Sequence, residues 1–205
     1  MPESRTTETN TVIPAFTPSG VLPPFVGDSP ARRGSMSPYL VGIEDVARRF
    51  ATSPARQAIF CGLLAYRKAL RDIGFQQGFQ WLDGSFVEDV ERARMRPPGD
   101  IDIVTFVQRP KEARGDAEWN AFQHEHLDLL IPTKVKARYH CEAFLMDLHS
   151  PGSLLVDDTR YWFGLFSHQR SSYHWKGMLQ VDLVDNDAAA MAVLETGGSD
   201  EKAGT

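Results

Sequence analysis

Apolar positions recur along the chain at spacings that predict alternating helices and strands. The clearest helical pattern lies in residues 54–73, where the apolar side chains that share one face are Ile59, Phe60, Leu63, Leu64, Leu70 and Ile73. Ser53 followed by Pro54 predicts the start of this helix, because a serine hydroxyl caps free N–H groups and proline fits the first turn. Gly74 predicts its end, since glycine readily adopts the backbone conformation that closes a helix.

Shorter segments predict the remaining elements. Helices are expected at residues 42–51, 85–94, 117–130 and 158–167, and strands at residues 79–82, 101–107, 139–147 and 178–184. Residues 96–99, Arg-Pro-Pro-Gly, predict a loop because proline and glycine interrupt both kinds of element. The alternation predicts an α/β or α+β fold, in which a mixed β-sheet is flanked by helices.

Both ends of the chain are rich in polar, small or proline residues. Residues 1–37 predict a largely irregular segment, although Val21, Leu22, Phe25 and Val26 are apolar enough to pack against the domain. The pattern assigns residues 38–185 to one domain and residues 186–205 to a C-terminal tail. A chain of 205 residues is long enough for one domain with a hydrophobic core.

Composition and charge narrow the class of protein. The formal net charge of −5 argues against a protein that mainly coats nucleic acid, because such proteins are usually strongly basic. Cys61 and Cys141 both lie in apolar segments, so we expect buried free thiols. The N-terminus has no apolar signal region, and no apolar run reaches the roughly 18 residues that span a bilayer. We therefore expect a cytoplasmic protein without a membrane partner.

Residues 100–104, Asp-Ile-Asp-Ile-Val, carry the most informative chemistry. Side chains alternate along a strand, so Asp100 and Asp102 share one face while Ile101 and Ile103 point into the core. Two carboxylates side by side repel one another unless a proton, a basic side chain or a cation intervenes. Hard oxygen ligands favour Mg²⁺ or Mn²⁺, which commonly bind a few carboxylates together with substrate phosphates.

A glycine–serine pair precedes these aspartates. Gly84 permits a tight turn with close backbone approach, and Ser85 would begin the helix expected at residues 85–94. Free N–H groups at the start of a helix attract phosphate. One segment thus predicts a phosphate site and the next a metal site.

The segments WLDGSFVE and PGDIDIVTF together resemble the polymerase-β-like nucleotidyltransferase superfamily, and the chain looks like a small bacterial family within it. The resemblance implies a nucleotidyltransferase-like fold and Mg²⁺-dependent transfer of a nucleoside monophosphate from an NTP such as ATP. The acceptor would be a hydroxyl of a protein, a tRNA or a small molecule. Small members often work in toxin–antitoxin or phage-defence pairs, which is the setting that the resemblance implies. Gly84 and Ser85 would bind the triphosphate, and Asp100 and Asp102 would bind metal.

A third carboxylate on a later strand is usual in this superfamily. In this chain the matching strand is YHCEAFLMD, and Glu142 is the first choice for a metal-binding and catalytic residue. Asp147, on the opposite face of that strand, is the alternative. Glu142 departs from the usual aspartate, and this departure favours a second hypothesis, a catalytically weak or silent scaffold that binds a partner protein.

Three further features have two interpretations each. Lys176 either reaches a phosphate as a point charge or is an ordinary surface lysine. The arginine-rich run consists of Arg92, Arg94 and Arg96. These side chains either steer a triphosphate or an acceptor, or balance nearby acidic residues on a solvated face. We favour the second interpretation. Four aromatic residues of the helix expected at 158–167 are predicted to pack in the hydrophobic core, and stacking against a nucleotide base is the alternative. They are Tyr161, Trp162, Phe163 and Phe166.

Overall fold

The computed structural model describes residues 12–170 and 172–197 of the chain. Its helices are α1 Ile43–Phe50, α2 Pro54–Asp72, α3 Val90–Arg94, α4 Asp116–Glu125, α5 Leu127–Leu130, α6 Pro132–Tyr139, α7 Gly152–Phe166 and α8 Asp187–Gly197. Its strands are β1 Tyr39–Leu40, β2 Gly78–Asp83, β3 Ile101–Val107, β4 Cys141–Asp147 and β5 Leu179–Asp182. Single 3₁₀ turns occur at Arg33–Ser35, Ser85–Val87 and Lys111–Ala113.

The strands form one mixed sheet in the order β1-β5-β2-β3-β4. Strand β2 is antiparallel to both β5 and β3, whereas β3–β4 and β1–β5 are parallel pairs. A mixed sheet flanked by helices is the α+β fold that the sequence predicts.

The two faces of the sheet are covered unequally. Alternate residues of β3, including Ile101 and Ile103, point to a large core built with α1, α2, α4, α6 and α8. The intervening residues Val104 and Phe106 belong to a smaller cluster on the opposite face, where Phe166 of α7 packs. We call these the helix-covered face and the α7 face. Asp102 shares its side of β3 with Val104 and therefore lies on the α7 face.

Helix α2 confirms the clearest sequence prediction. The Ser53 hydroxyl accepts a hydrogen bond from the Arg56 backbone N–H at 3.4 Å, and Pro54 occupies the first turn. Gly74 has φ +108°, a conformation that favours glycine just beyond the helix. Of the six apolar residues predicted to share a face, all but Ile73 are fully buried, and Ile73 is half-buried.

Three predicted helices differ in detail from the structure. The helix expected at residues 158–167 begins six residues earlier, as α7 Gly152–Phe166. The expected helix 117–130 is interrupted at His126, which separates α4 from α5. Residues 85–94 form a 3₁₀ turn and the short helix α3 rather than one continuous helix. Helix α6 was not predicted; His140 ends it with φ 56°, and β4 follows directly.

The two terminal segments are partly incorporated into the fold. Val21 and Leu22 are buried and Phe25 is half-buried as expected, but Val26 is exposed. Residues 1–11 and 198–205 lie outside the described residues. The prediction of a tail from residue 186 is wrong for residues 187–197, because α8 packs against the domain and buries Ala190.

The cysteine prediction is correct for one residue only. Cys141 is buried and free, whereas Cys61 is free but exposed on α2, because it lies off the apolar face of that helix. Among the residues that the structure describes, no helix is both long and apolar enough to cross a membrane.

Candidate functional site

Three carboxylates meet where the parallel strands β3 and β4 begin. Asp102 pairs in register with Glu142, and Asp100 directly precedes β3. Burial of Ile101 and Ile103 fixes which face the aspartates occupy. One oxygen from each of Asp100, Asp102 and Glu142 lies within 4.8 Å of the others. We call this group the carboxylate cluster.

Gly84 brings the preceding turn against the cluster. Its φ is +80°, and a Cβ at this position would lie 2.5 Å from Oδ2 of Asp102. Both the backbone conformation and the contact therefore require glycine. The antiparallel register, which sets Asp83 opposite Asp102, places the turn there.

Ser85 lies beside the cluster, but in a different local structure from the one expected. The segment Ser85–Val87 is a single 3₁₀ turn, so no long helix supplies a dipole for phosphate at this point. The Ser85 hydroxyl makes no hydrogen bond to another described residue, and Ser85 lines the same cavity as the cluster. What remains of the predicted phosphate site is the turn backbone and this hydroxyl.

The structure places Asp147 far from the cluster. It pairs with Val107 at the opposite end of the two strands, five residues beyond Glu142, or roughly 17 Å at 3.3 Å per residue. Arg109 donates to Asp147 at 2.7 Å. Of the two candidates for the third carboxylate, the fold brings only Glu142 to Asp100 and Asp102.

A lysine that sequence reasoning missed contacts the cluster. Nζ of Lys136, in the last turn of α6, lies 2.5 Å from Asp100 and 2.6 Å from Glu142. Hydrogen bonds to Asp100 and then Glu142 raise the pKa of Lys136, so its ammonium group carries charge at neutral pH. Its side chain is nevertheless 48% exposed.

Lys176 is buried, and the expectation of a surface lysine is wrong. Its ammonium group lies 3.0 Å from Asp83 and 2.9 Å from Glu88, which are themselves buried. Burial alone would lower the pKa of Lys176, but these carboxylates outweigh burial and raise it. Lys176 lines the cavity, yet its charge is already shared by two protein carboxylates.

Asp83 is the least satisfied member of this group. Burial raises its pKa to about 7, although Lys176 opposes the shift. Its Oδ1 is buried without a hydrogen-bond partner among the described residues. Asp83 also belongs to the lining of the cavity, so this unsatisfied carboxylate lies beside the carboxylate cluster.

Burial and like charge perturb the cluster itself. Burial, followed by the charges of Asp100 and Glu142, raises the pKa of Asp102 to about 6. The cluster without a cation therefore holds its negative charges at a free-energy cost, which a bound cation would relieve.

One cavity of about 460 Å³, which is large enough for a nucleotide, is lined by the carboxylate cluster, both lysines and the segment residues Asp83, Gly84, Ser85 and Glu88. Its basic lining comprises Arg94, Arg96, Lys136, Arg170 and Lys176, and its apolar wall comprises Phe144, Tyr161, Trp162, Leu165 and Phe166. The walls thus combine carboxylates, cations and aromatic rings.

The arginine-rich run matches parts of both interpretations. Arg94 lies 3.3 Å from Glu88, and Arg92 lies 3.7 Å from Asp89, as charge balance predicts. Arg94 and Arg96 also line the cavity, so they are available to an anionic ligand.

The aromatic helix residues likewise divide between core and cavity. Phe166 is buried in the small cluster on the α7 face, as expected for core. Trp162 packs against Phe144 with ring centroids 4.5 Å apart, and Tyr161 is 56% exposed. Both Trp162 and Tyr161 line the cavity.

The carboxylate cluster fits a small divalent cation. All its ligand atoms are hard oxygens, as Mg²⁺ and Mn²⁺ prefer. Two oxygens on one Mg²⁺ are at most about 4.2 Å apart, given Mg–O distances of about 2.1 Å. That limit applies to oxygens on opposite sides of the ion, whereas neighbouring oxygens of an octahedral site lie about 3.0 Å apart, so the cluster oxygens, now within 4.8 Å of one another, would have to approach by up to about 2 Å to share one ion.

Sequence reasoning missed Asp83, Glu88 and Lys136. A signal for Asp83 was present: it precedes Gly84 and alternates away from the buried Leu82, as Asp102 alternates away from Ile103. Lys136 had no such signal, because its helix was not predicted and its contacts depend on how α6 lies against β4.

Comparison with protein families gives one match. A family model covers residues 14–182 of the chain, from before α1 to the end of β5, and is described as a family of unknown function, DUF6932. The chain belongs to this family. Comparisons with curated proteins and with solved structures give no match. The description of DUF6932 states no activity.

Proposed function

We propose that the protein is a divalent-metal-dependent nucleotidyltransferase, which moves a nucleoside monophosphate from an NTP to an acceptor hydroxyl. One observation carries the proposal: carboxylates from adjacent strands meet beside a glycine–serine turn inside a nucleotide-sized cavity. Asp83, whose buried Oδ1 has no hydrogen-bond partner among the described residues, also belongs to the lining of this cavity.

Asp100, Asp102 and Glu142 would hold the cation, which when bound would neutralise charge on the triphosphate. The Gly84 turn and the Ser85 hydroxyl would contact phosphate oxygens. The acceptor oxygen attacks the α-phosphorus, the bond from that phosphorus to the bridging oxygen breaks, and pyrophosphate leaves. The acceptor proton passes to a cluster carboxylate. Here catalysis consists of positioning and electrostatics rather than covalent work by the protein.

The acceptor belongs to one of three classes under this proposal: a protein side chain, a tRNA end or a small molecule. We also propose a cytoplasmic setting, where NTPs are found, with a toxin–antitoxin or phage-defence pair as the expected context. The open, mixed-charge lining of the cavity is compatible with each acceptor class.

The direct test uses NTPs labelled at the α-phosphate, with Mg²⁺ or Mn²⁺ and bacterial lysate as a source of acceptors. Wild-type protein should transfer label, and Asp102→Asn should reduce transfer at least a hundred-fold, because it removes a charged ligand without changing side-chain shape. Arg160→Gln, at an exposed ion pair with Asp157, is the matched control and should retain activity. Transfer that persists in Asp102→Asn would contradict the proposal.

A second candidate is a catalytically silent scaffold that binds a partner protein. The observation that favours it is the exposure of two apolar side chains on α7, Leu154 at 55% and Val156 at 70%. Melting with Mn²⁺ and NTP separates the two functions. A ligand that binds only the folded protein raises the melting temperature, whereas a silent scaffold would show no shift.

A further inference from the structure

Lys136 occupies the oxygens that a cation would use. Its ammonium group bridges Asp100 and Glu142, two of the three members of the carboxylate cluster. A divalent ion bound to the same oxygens would sit within a few ångströms of this positive charge and repel it. The ammonium group and the metal are therefore alternatives at these oxygens.

The Lys136 side chain can move away from the carboxylate cluster, whereas the Lys176 side chain is held in place. The Lys136 side chain is 48% exposed, and its ammonium group pairs with the two cluster carboxylates among the described residues. The Lys176 side chain is 5% exposed and is fixed between Asp83 and Glu88. Of these two lysines, only Lys136 combines contact with the cluster and a solvent-exposed stem that allows its rotamer to change.

A displaced Lys136 would remain in the cavity. It belongs to the same lining as Ser85, Arg94 and Arg96, where a triphosphate would lie under the proposed function. A free ammonium group beside a polyanion gains the favourable charge interaction that it loses at the carboxylates.

We propose that Lys136 is an exchangeable counter-ion, which neutralises the carboxylate cluster before metal binds and then pairs with the phosphates of the incoming nucleotide. This inference rests on the proposed function and adds a residue that couples metal binding to nucleotide binding. It predicts opposite effects on the two ligands when Lys136 is removed, which a merely structural lysine would not produce.

The test compares Lys136→Met with Lys134→Met. Lys134 lies on the same helix, pairs with the exposed Asp128 at 2.6 Å, and its replacement changes net charge equally. Free Mn²⁺ is measured by electron paramagnetic resonance without nucleotide. Binding of a non-hydrolysable NTP analogue is then measured by calorimetry at saturating Mn²⁺.

Lys136→Met should bind Mn²⁺ roughly 3- to 20-fold more tightly than wild type, because two partly exposed ion pairs no longer compete for the oxygens. With Mn²⁺ bound, it should bind the NTP analogue at least about three-fold more weakly, because one phosphate contact is lost. Lys134→Met should match wild type in both measurements. Lys136→Gln, of similar shape but with polar character, should behave as Lys136→Met.

Three results would overturn the inference in distinguishable ways. Unchanged or weaker Mn²⁺ binding in Lys136→Met, with binding still lost in Asp100→Asn, rejects the counter-ion role and leaves the metal site intact. Tighter Mn²⁺ with unchanged nucleotide binding rejects the exchange to phosphate. Absence of Mn²⁺ binding in wild type and Lys136→Met alike rejects the carboxylate cluster as a metal site, and the proposed function falls with it.

Discussion

Two buried basic side chains lie on opposite faces of the sheet and are paired very differently. On the helix-covered face, Arg67 donates to Asp187 at 2.9 Å, to Gln80 at 2.8 Å and to the Asp182 carbonyl at 2.9 Å. Gln80 in turn donates to Thr105 at 3.0 Å. Around Arg67 every buried side-chain nitrogen and oxygen that the structure describes has a partner.

On the α7 face, Lys176 is just as deeply buried but its surroundings are incomplete. It pairs with both Asp83 and Glu88, Glu88 also pairs with Arg94, and Oδ1 of Asp83 has no partner among the described residues. This group borders the cavity, whereas Arg67 is not part of that lining. A satisfied network stabilises the fold, while an unsatisfied one beside a cavity indicates a site for a ligand.

The largest effect expected from this comparison is at Arg67. Arg67→Met should lower the free energy of unfolding by roughly 3–5 kcal/mol, because Gln80 and the Asp182 carbonyl lose their buried donor and Asp187 keeps only Arg71, at 2.6 Å. Lys68→Met, at the exposed pair with Asp72, is the control and should cost less than about 0.5 kcal/mol. Urea denaturation measures both. A loss below about 1 kcal/mol for Arg67→Met would show that the network contributes little.

Lys176→Met should cost less, about 2 kcal/mol, because Asp83 can take up a proton when its partner is lost. The loss should be larger at pH 8.5 than at pH 6, since holding the proton on buried Asp83 costs more free energy relative to the unfolded chain as pH rises. Adding Asp83→Asn should restore part of the stability at pH 8.5. An equal loss at both pH values would contradict this account of Asp83.

The smallest expected effect concerns Asp102 and has a defined sign. Its pKa is about 6 in the folded protein and about 3.9 in the unfolded chain, so the folded state holds the proton more tightly. The stability that this proton contributes is complete below about pH 4 and is lost as pH rises through about 6.

Asp102→Asn should therefore be more stable than wild type by roughly 1–2 kcal/mol at pH 7.5 without metal, and the difference should shrink towards pH 4.5. Saturating Mn²⁺ should reverse the order at pH 7.5, because only wild type keeps the full cluster. Melting temperatures at both pH values measure the difference. If Asp102→Asn is less stable than wild type at pH 7.5 without metal, the ionised carboxylate of Asp102 does not destabilise the folded protein.

The sequence predicted the parts of this site that depend on local pattern. Alternation in residues 100–104 placed the two aspartates opposite the buried isoleucines, and Gly84 marked the turn. The choice between Glu142 and Asp147 depended on strand register, which forms between distant segments. The contacts of Lys136 and the burial of Lys176 depend on packing between distant segments, which no short sequence pattern predicts.

Helix α8 extends the folded domain beyond the end of the family match. The family match stops at residue 182, yet the carboxylate that pairs with buried Arg67 belongs to Asp187, and Asp185 accepts the backbone N–H of Ile43 at 2.8 Å. A protein shortened to residue 182 would therefore enclose an unneutralised guanidinium beneath the sheet. Expression of this unit, and any fusion attached to its C-terminus, should retain residues up to at least 197.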